Sequence, residues 1–159
     1  MAAFDQAFRV VIGHEGGFTA NPADPGNWTG GASGRGECRG TKFGISARAY
    51  PDLDIADLTL DQAQAIYRRD YWDKLDADSL PPPLALLAFD AAVNNGLGRA
   101  RQWLALARSQ QTGAAICAEF LAQRFAFMAA LPTWHSFGLG WARRLCRLPY
   151  ESMTMTEDA

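Results

Sequence analysis

Two carboxylates lie close together near the start of the chain, in settings that suit acid–base chemistry. Glu15 belongs to Ile12-Gly13-His14-Glu15-Gly16-Gly17-Phe18, and Asp24 to Asn21-Pro22-Ala23-Asp24-Pro25-Gly26. Phe4, Phe8, Val11 and Ile12 recur at the spacing of one apolar helix face. Glu15 continues that face, and Gly16 and Gly17 then supply a backbone able to close the helix. A carboxylate at the negative end of a helix, among apolar neighbours, is disfavoured as an anion, so its pKa is expected to rise. An acid still protonated near neutral pH can protonate a glycosidic oxygen. The competing reading is a surface Glu near a helix end, but such a residue would more naturally sit beside Arg9 on the polar face.

Eight residues separate Glu15 from Asp24. A turn after the helix could carry Asp24 across a cleft, where its carboxylate would orient an attacking water or stabilise oxocarbenium charge. An Asp before Pro-Gly is also an ordinary turn residue bonded to nearby amides. If both carboxyl groups act, a separation of about 6.5–9.5 Å implies inversion and about 5–5.5 Å retention. Thr41 is an alternative holder of the water, or a plain strand-edge residue. His14 reads as a helix-end residue bonded to a last-turn carbonyl. No metal site is expected, because His135 is the only other histidine and lies far off in sequence.

Further candidates would hold substrate. Trp28, in a loop, and Phe43 could stack on saccharide faces, as could Tyr71 and Trp72, although aromatics at helical spacing more often belong to a core. Asp90 and Asn94 stand one turn apart on an otherwise apolar helix. Buried polar groups need partners, so the pair either forms a structural network, bridges to the Glu15 region or binds sugar.

The elements that must position these groups follow from pattern. Residues 3–15 are expected to form the first helix. Over 18–45 the composition turns to Gly, Pro, Asn and Thr. The Gly-rich loop at 28–40 is of a kind usually functional or mobile. Residues 41–45 read as a short strand and 46–50 as a short helix stopped by Pro51. Thr59 opens a helix through a capping box with Gln62, with Ala63, Ile66, Tyr67 and Tyr71 on its buried side. The break at 75–83, ending in three prolines, is the best internal boundary. Residues 84–94 are apolar nearly all round and should form the central buried helix, capped by Asn95-Gly96. Helices follow at 99–108, 114–130 and 137–147, and the polar tail 149–159 is expected to fray. The fold class is therefore mainly α: an α+β helical bundle around a central buried helix, with a small irregular or β lobe.

The chain has 159 residues, 48% of them hydrophobic and 20% charged, as in an ordinary globular protein of one domain or two small lobes. A net charge of -2 gives no global basic field, so nucleic acid is not expected as a partner. Arg143, Arg144 and Arg147 form a local basic cluster, more often a solvated helix face than an anion site. Cys38, Cys117 and Cys146 are widely spaced, without a zinc or disulfide pattern, and fit synthesis in a reducing cytoplasm. The start of the chain lacks the features of a signal peptide, and no apolar run reaches membrane-spanning length.

His14-Glu15-Gly16-Gly17-Phe18, the Asn21 to Gly26 turn and Thr41-Lys42-Phe43-Gly44-Ile45 together resemble the glycoside hydrolase 108 family. The likeness continues through Tyr67-Arg68-Arg69-Asp70-Tyr71-Trp72 and Phe89-Asp90-Ala91-Ala92-Val93-Asn94-Asn95-Gly96. It ends with Phe137 and Gly140-Trp141-Ala142-Arg143-Arg144, which is similar to the family's C-terminal peptidoglycan-binding region. The resemblance implies a lysozyme-like fold and an N-acetylmuramidase, of the phage or prophage endolysin type, that cuts peptidoglycan glycan strands. It carries the catalytic Glu onto Glu15, and likeness to phage lysozymes leans toward inversion. It divides the chain into a catalytic lobe at 1–80, a peptidoglycan-binding-like helical lobe packed on it at 84–148, and a flexible tail at 149–159. Two departures stand out: residues 28–40 lengthen the usual connection, and Phe43 stands where Tyr is common.

That hydrolytic chemistry needs no cofactor or metal, the lack of a spanning apolar run leads to an expectation of no stable membrane insertion, and a monomer is expected. A protein made in the cytoplasm but acting on the wall would need a holin or a secretion partner for delivery. Two rival readings are a lytic transglycosylase, which uses one acid/base Glu, and a non-catalytic cell-wall-binding module.

Overall fold

The computed structural model describes residues 3–13 and 17–155. These residues are mainly helical, with one small antiparallel sheet, the architecture of the lysozyme-like class expected. The helices are α1 (Ala3–Ile12), α2 (Leu60–Tyr67), α3 (Pro82–Asn95), α4 (Leu97–Ala107), α5 (Gly113–Ala129) and α6 (Trp134–Met153). The strands are β1 (Thr41–Lys42) and β2 (Ile45–Ser46). The chain forms two compact units, Ile12–Tyr67 and a larger one of Met1–Val11 with Arg68–Ala159. The proline-rich stretch at 75–83 thus falls inside the larger unit, not at the division between units.

In the larger unit, α1 buries Phe4, Ala7 and Phe8, and places Asp5 in its first turn and Arg9 in its last, matching the helix dipole. It ends earlier than its apolar pattern suggests, because Gly13 takes a left-handed φ of 71°. The continuation of that apolar face to Glu15 lies outside the described residues. Phe4 meets Trp72 and Phe89 with ring centroids 5.4 and 5.9 Å apart, and Trp72 meets Phe89 at 5.6 Å, all edge-on. Trp72 is fully buried, and its indole N–H donates to Asp78 Oδ1 at 2.8 Å. A π-helical stretch, Arg68–Trp72, shifts the register after α2, so that Trp72 is buried while Tyr71 is only half-buried.

Helix α3 is the centre of this unit: every residue from Leu84 to Ala92 is buried, and α4, α5 and α6 all pack on it. The N–H of Gly96 caps it by donating to the Ala92 carbonyl. Thr112 caps α5 by accepting from the Ala115 N–H. Helix α6 is longer than expected. It continues through Pro149 to Met153, with Leu148, Ser152 and Met155 buried and Tyr150 and Met153 exposed, so the stretch expected to fray begins as ordered helix, while 156–159 lie outside the described residues.

In the smaller unit the capping box forms as read: the Thr59 N–H donates to Gln62 Oε1 at 2.9 Å, and the Gln62 N–H to Thr59 Oγ1 at 3.2 Å. Residues 41–45 are not one strand. Thr41 pairs with Ser46 and Lys42 with Ile45, around a two-residue turn at Phe43 and Gly44. Both turn residues have positive φ, 52° and 74°, as a tight hairpin of this kind requires. Residues after Ser46 make hydrogen-bonded turns rather than the expected short helix.

Candidate active site

His14, Glu15 and Gly16 lie outside the described residues. What the structure does describe is the framework around the other candidates of the smaller unit. Prolines 22 and 25 and the short side chains between them favour successive turns. Asn21 Oδ1 accepts from the Ala23 N–H at 3.0 Å. Asp24 caps a single 3₁₀ turn, Pro25–Asn27, its Oδ1 accepting from the Gly26 N–H at 2.8 Å. Asp24 is exposed, and no hydrogen bond among the described residues engages its second carboxylate oxygen.

The turn is fastened to the hairpin by Asn27, which is fully buried. Its Nδ2 donates to the Asn21 carbonyl at 3.0 Å, and its Oδ1 accepts from the Thr41 hydroxyl at 2.7 Å. Its backbone joins the same network: the N–H donates to the Asp24 carbonyl at 3.1 Å, and the carbonyl accepts from Gly40 at 3.0 Å. Thr41 in turn exchanges two backbone hydrogen bonds with Thr19, at 2.8 and 2.9 Å. Asp24 and Thr41 are thus brought into one network, and the chain just beyond Glu15 is tied to it. Sequence reasoning missed Asn27. The available signal was an amide, able to donate and accept at once, directly after Asp-Pro-Gly.

The proton of the Thr41 hydroxyl is committed to Asn27, so Oγ1 is left as an acceptor. The free side of the Asp24 carboxylate is also an acceptor. Each could therefore receive a proton from a water, and only the carboxylate could keep it.

Trp28 is half-buried at the start of the Gly-rich loop, with its indole N–H donating to the Pro22 carbonyl at 2.9 Å. The loop is closed by its own hydrogen bonds. Thr29 N–H donates to the Glu37 carbonyl at 2.9 Å, and Glu37 N–H returns to Thr29 Oγ1 at 2.9 Å. Phe43 is half-buried at the hairpin turn, where the buried Tyr67 hydroxyl donates to its carbonyl at 3.0 Å. Lys42 Nζ lies over its ring, 5.6 Å from the centroid.

Asp90 and Asn94 belong to α3 in the larger unit. Asp90 is fully buried, and both its oxygens are taken by guanidinium groups. Arg124 Nη1 donates to Oδ2 at 2.6 Å, and Arg144 Nε to Oδ1 at 2.8 Å, with Arg144 Nη2 on the same oxygen. That makes Asp90 a structural anchor, not a group that meets sugar. Burial pulls the Arg124 guanidinium below its ordinary value, against the Asp90 carboxylate, which holds it up. Asn94 is exposed and donates to the Asp90 carbonyl at 2.8 Å. No group of acidic, histidine or cysteine side chains able to hold a metal occurs among the described residues.

A family model described as Glycosyl hydrolase 108 matches residues 8–96, more than half of the chain. Among solved structures, the chain is similar to SagA of Brucella abortus, at 25% identity and a TM-score of 0.76. That match covers 98% of this chain and 97% of the other. No curated protein sequence matches the chain.

Proposed function

The chain belongs to the glycosyl hydrolase 108 family, and from that premise we propose that it cleaves the β-1,4 bond between N-acetylmuramic acid and N-acetylglucosamine in bacterial peptidoglycan. The observation that carries the reading is the family match, which spans Glu15, Asp24 and Thr41 in one continuous segment. Glu15 is the general acid. It gives its proton to the glycosidic oxygen, which leaves as the free hydroxyl of N-acetylglucosamine. A water attacks the anomeric carbon of N-acetylmuramic acid from the opposite face, and its proton passes to the Asp24 carboxylate. Thr41 orients that water by accepting its second proton in a hydrogen bond. The Asn27 network supports this assignment by linking the Asp24 turn to the Thr41 hydroxyl. The course is inverting, with the water between acid and base. Trp28 and Phe43, on the same unit, supply faces for sugar rings.

The test is digestion of purified sacculi followed by identification of the new chain ends. Reducing N-acetylmuramic acid ends, released first as the α anomer, are expected. Ends carrying a 1,6-anhydro ring would identify a transglycosylase, and the absence of new ends with retained pelleting would identify a binding module.

A further inference from the structure

Within the larger unit, α6, the end of α1 and Asp90 of α3 line a half-open hollow of about 320 Å³ whose walls carry an excess of positive charge. Its lining includes Val10, Asp90, Arg143, Arg144, Arg147 and Glu151. Asp90 alone faces two guanidinium groups, Arg124 and Arg144, so its charge is more than compensated. Arg147 stands 3.7 Å from Glu151, a long and exposed pairing. Arg143 is exposed and forms no ion pair among the described residues. The lining thus holds cations beyond what its own carboxylates neutralise, and guanidinium groups are planar forks that match oxyanions. The volume suits a charged substituent and its immediate surroundings better than a run of sugar rings.

We propose that this hollow binds a carboxylate of the peptide stem carried by N-acetylmuramic acid, so that the protein reads the stem as well as the glycan. The choice of ligand rests on the peptidoglycan reading above. That polymer presents free carboxylates beside every second sugar, which the surplus charge of the hollow complements. Arg143 and the outer edge of Arg144 receive the carboxylate, while Asp90 holds Arg144 in place from beneath.

The test is equilibrium binding by the intact chain of a muramyl tripeptide, which has no bond between sugars to cut. It is compared with the same compound amidated at its carboxylates and with inorganic phosphate. Binding of the free acid is expected to be about ten-fold tighter than binding of the amide, a difference of one charge-assisted contact. It should weaken as salt is raised. Arg143→Gln and Arg147→Gln should each weaken free-acid binding several-fold and narrow its advantage over the amide. Equal binding of acid and amide overturns the proposal, as does phosphate binding as tightly as the tripeptide, or an undiminished advantage in both variants. Sacculus digestion by the same preparation separates the two readings. New reducing ends with charge-independent binding overturn this inference alone, whereas charge-dependent binding without new ends overturns the hydrolase reading.

Discussion

At the scale of single residues, Asn27 explains most about the candidate site. One buried amide satisfies the Asn21 carbonyl and the Thr41 hydroxyl together, and either partner left unpaired would cost about 1–3 kcal/mol. Asn27→Ala is therefore expected to lower stability by about that amount and kcat by about ten- to a hundred-fold, through misplacement of Asp24 and Thr41. Thermal denaturation beside steady-state release of reducing ends checks this, and a normal kcat in the folded variant would remove Asn27 from the site. Cys117 offers a second residue-scale check. Burial pushes its thiol above the ordinary value of 9.0, so less of the reactive thiolate forms at a given pH. Its alkylation should lag behind that of the exposed Cys146 at about pH 8 and speed up only at higher pH; mass mapping of modified peptides would show equal rates if burial is unimportant. Asp24 and Thr41 were legible as candidates from their types and positions. Asn27 was not, because its role depends on a partner fourteen residues away in sequence.

At the scale of elements, the hairpin turn is the informative case. Phe43 occupies a left-handed conformation that costs a non-glycine residue about 1–2 kcal/mol. Gly44 has no such penalty, but a Cβ there would stand 2.6 Å from the Tyr67 hydroxyl. Strain of this kind persists where the surroundings enforce it, and it accumulates at functional positions. Phe43→Asn should therefore stabilise the fold by about 1 kcal/mol, since Asn tolerates this backbone, while raising KM for glycan several-fold. Melting temperature and KM measured together test it: a stabilised variant with unchanged KM would make the ring irrelevant to substrate. The same turn shows why 41–45 read as a single strand, since Phe-Gly lacks the Asn-Gly signature of tight hairpins. By contrast, α3 was legible because it is apolar on every face, and α2 because its capping box is local. The early stop of α1 and the π-helical stretch were not, because a glycine is tolerated inside a helical pattern and no residue type within 68–72 marks a widened turn.

At the scale of the whole molecule, one carboxylate links four helices. Asp90 on α3 binds Arg124 on α5 and Arg144 on α6, and Arg144 Nη2 also reaches the Val11 carbonyl on α1 at 3.5 Å. Removing the charge would strand Arg124, which is fully buried and already has Nη2 unpaired. Asp90→Asn is expected to cost about 3–5 kcal/mol, a large share of the roughly 5–15 kcal/mol available to a typical domain. Urea denaturation would show it, and a loss below about 1 kcal/mol would mean that the network is not what secures the bundle. The chain thus combines a helical unit locked by this network with a turn-rich unit whose span, Ile12–Tyr67, includes all three proposed catalytic residues. The proposal itself turns on Glu15. The most direct measurement is the rate at which purified sacculi release reducing ends with the wild-type chain and with Glu15→Gln, the folding of both checked by circular dichroism. A folded Glu15→Gln variant is expected to release ends at least about a thousand-fold more slowly, in keeping with loss of the general acid; a folded variant that still releases them at a rate near wild type would remove Glu15 from the mechanism.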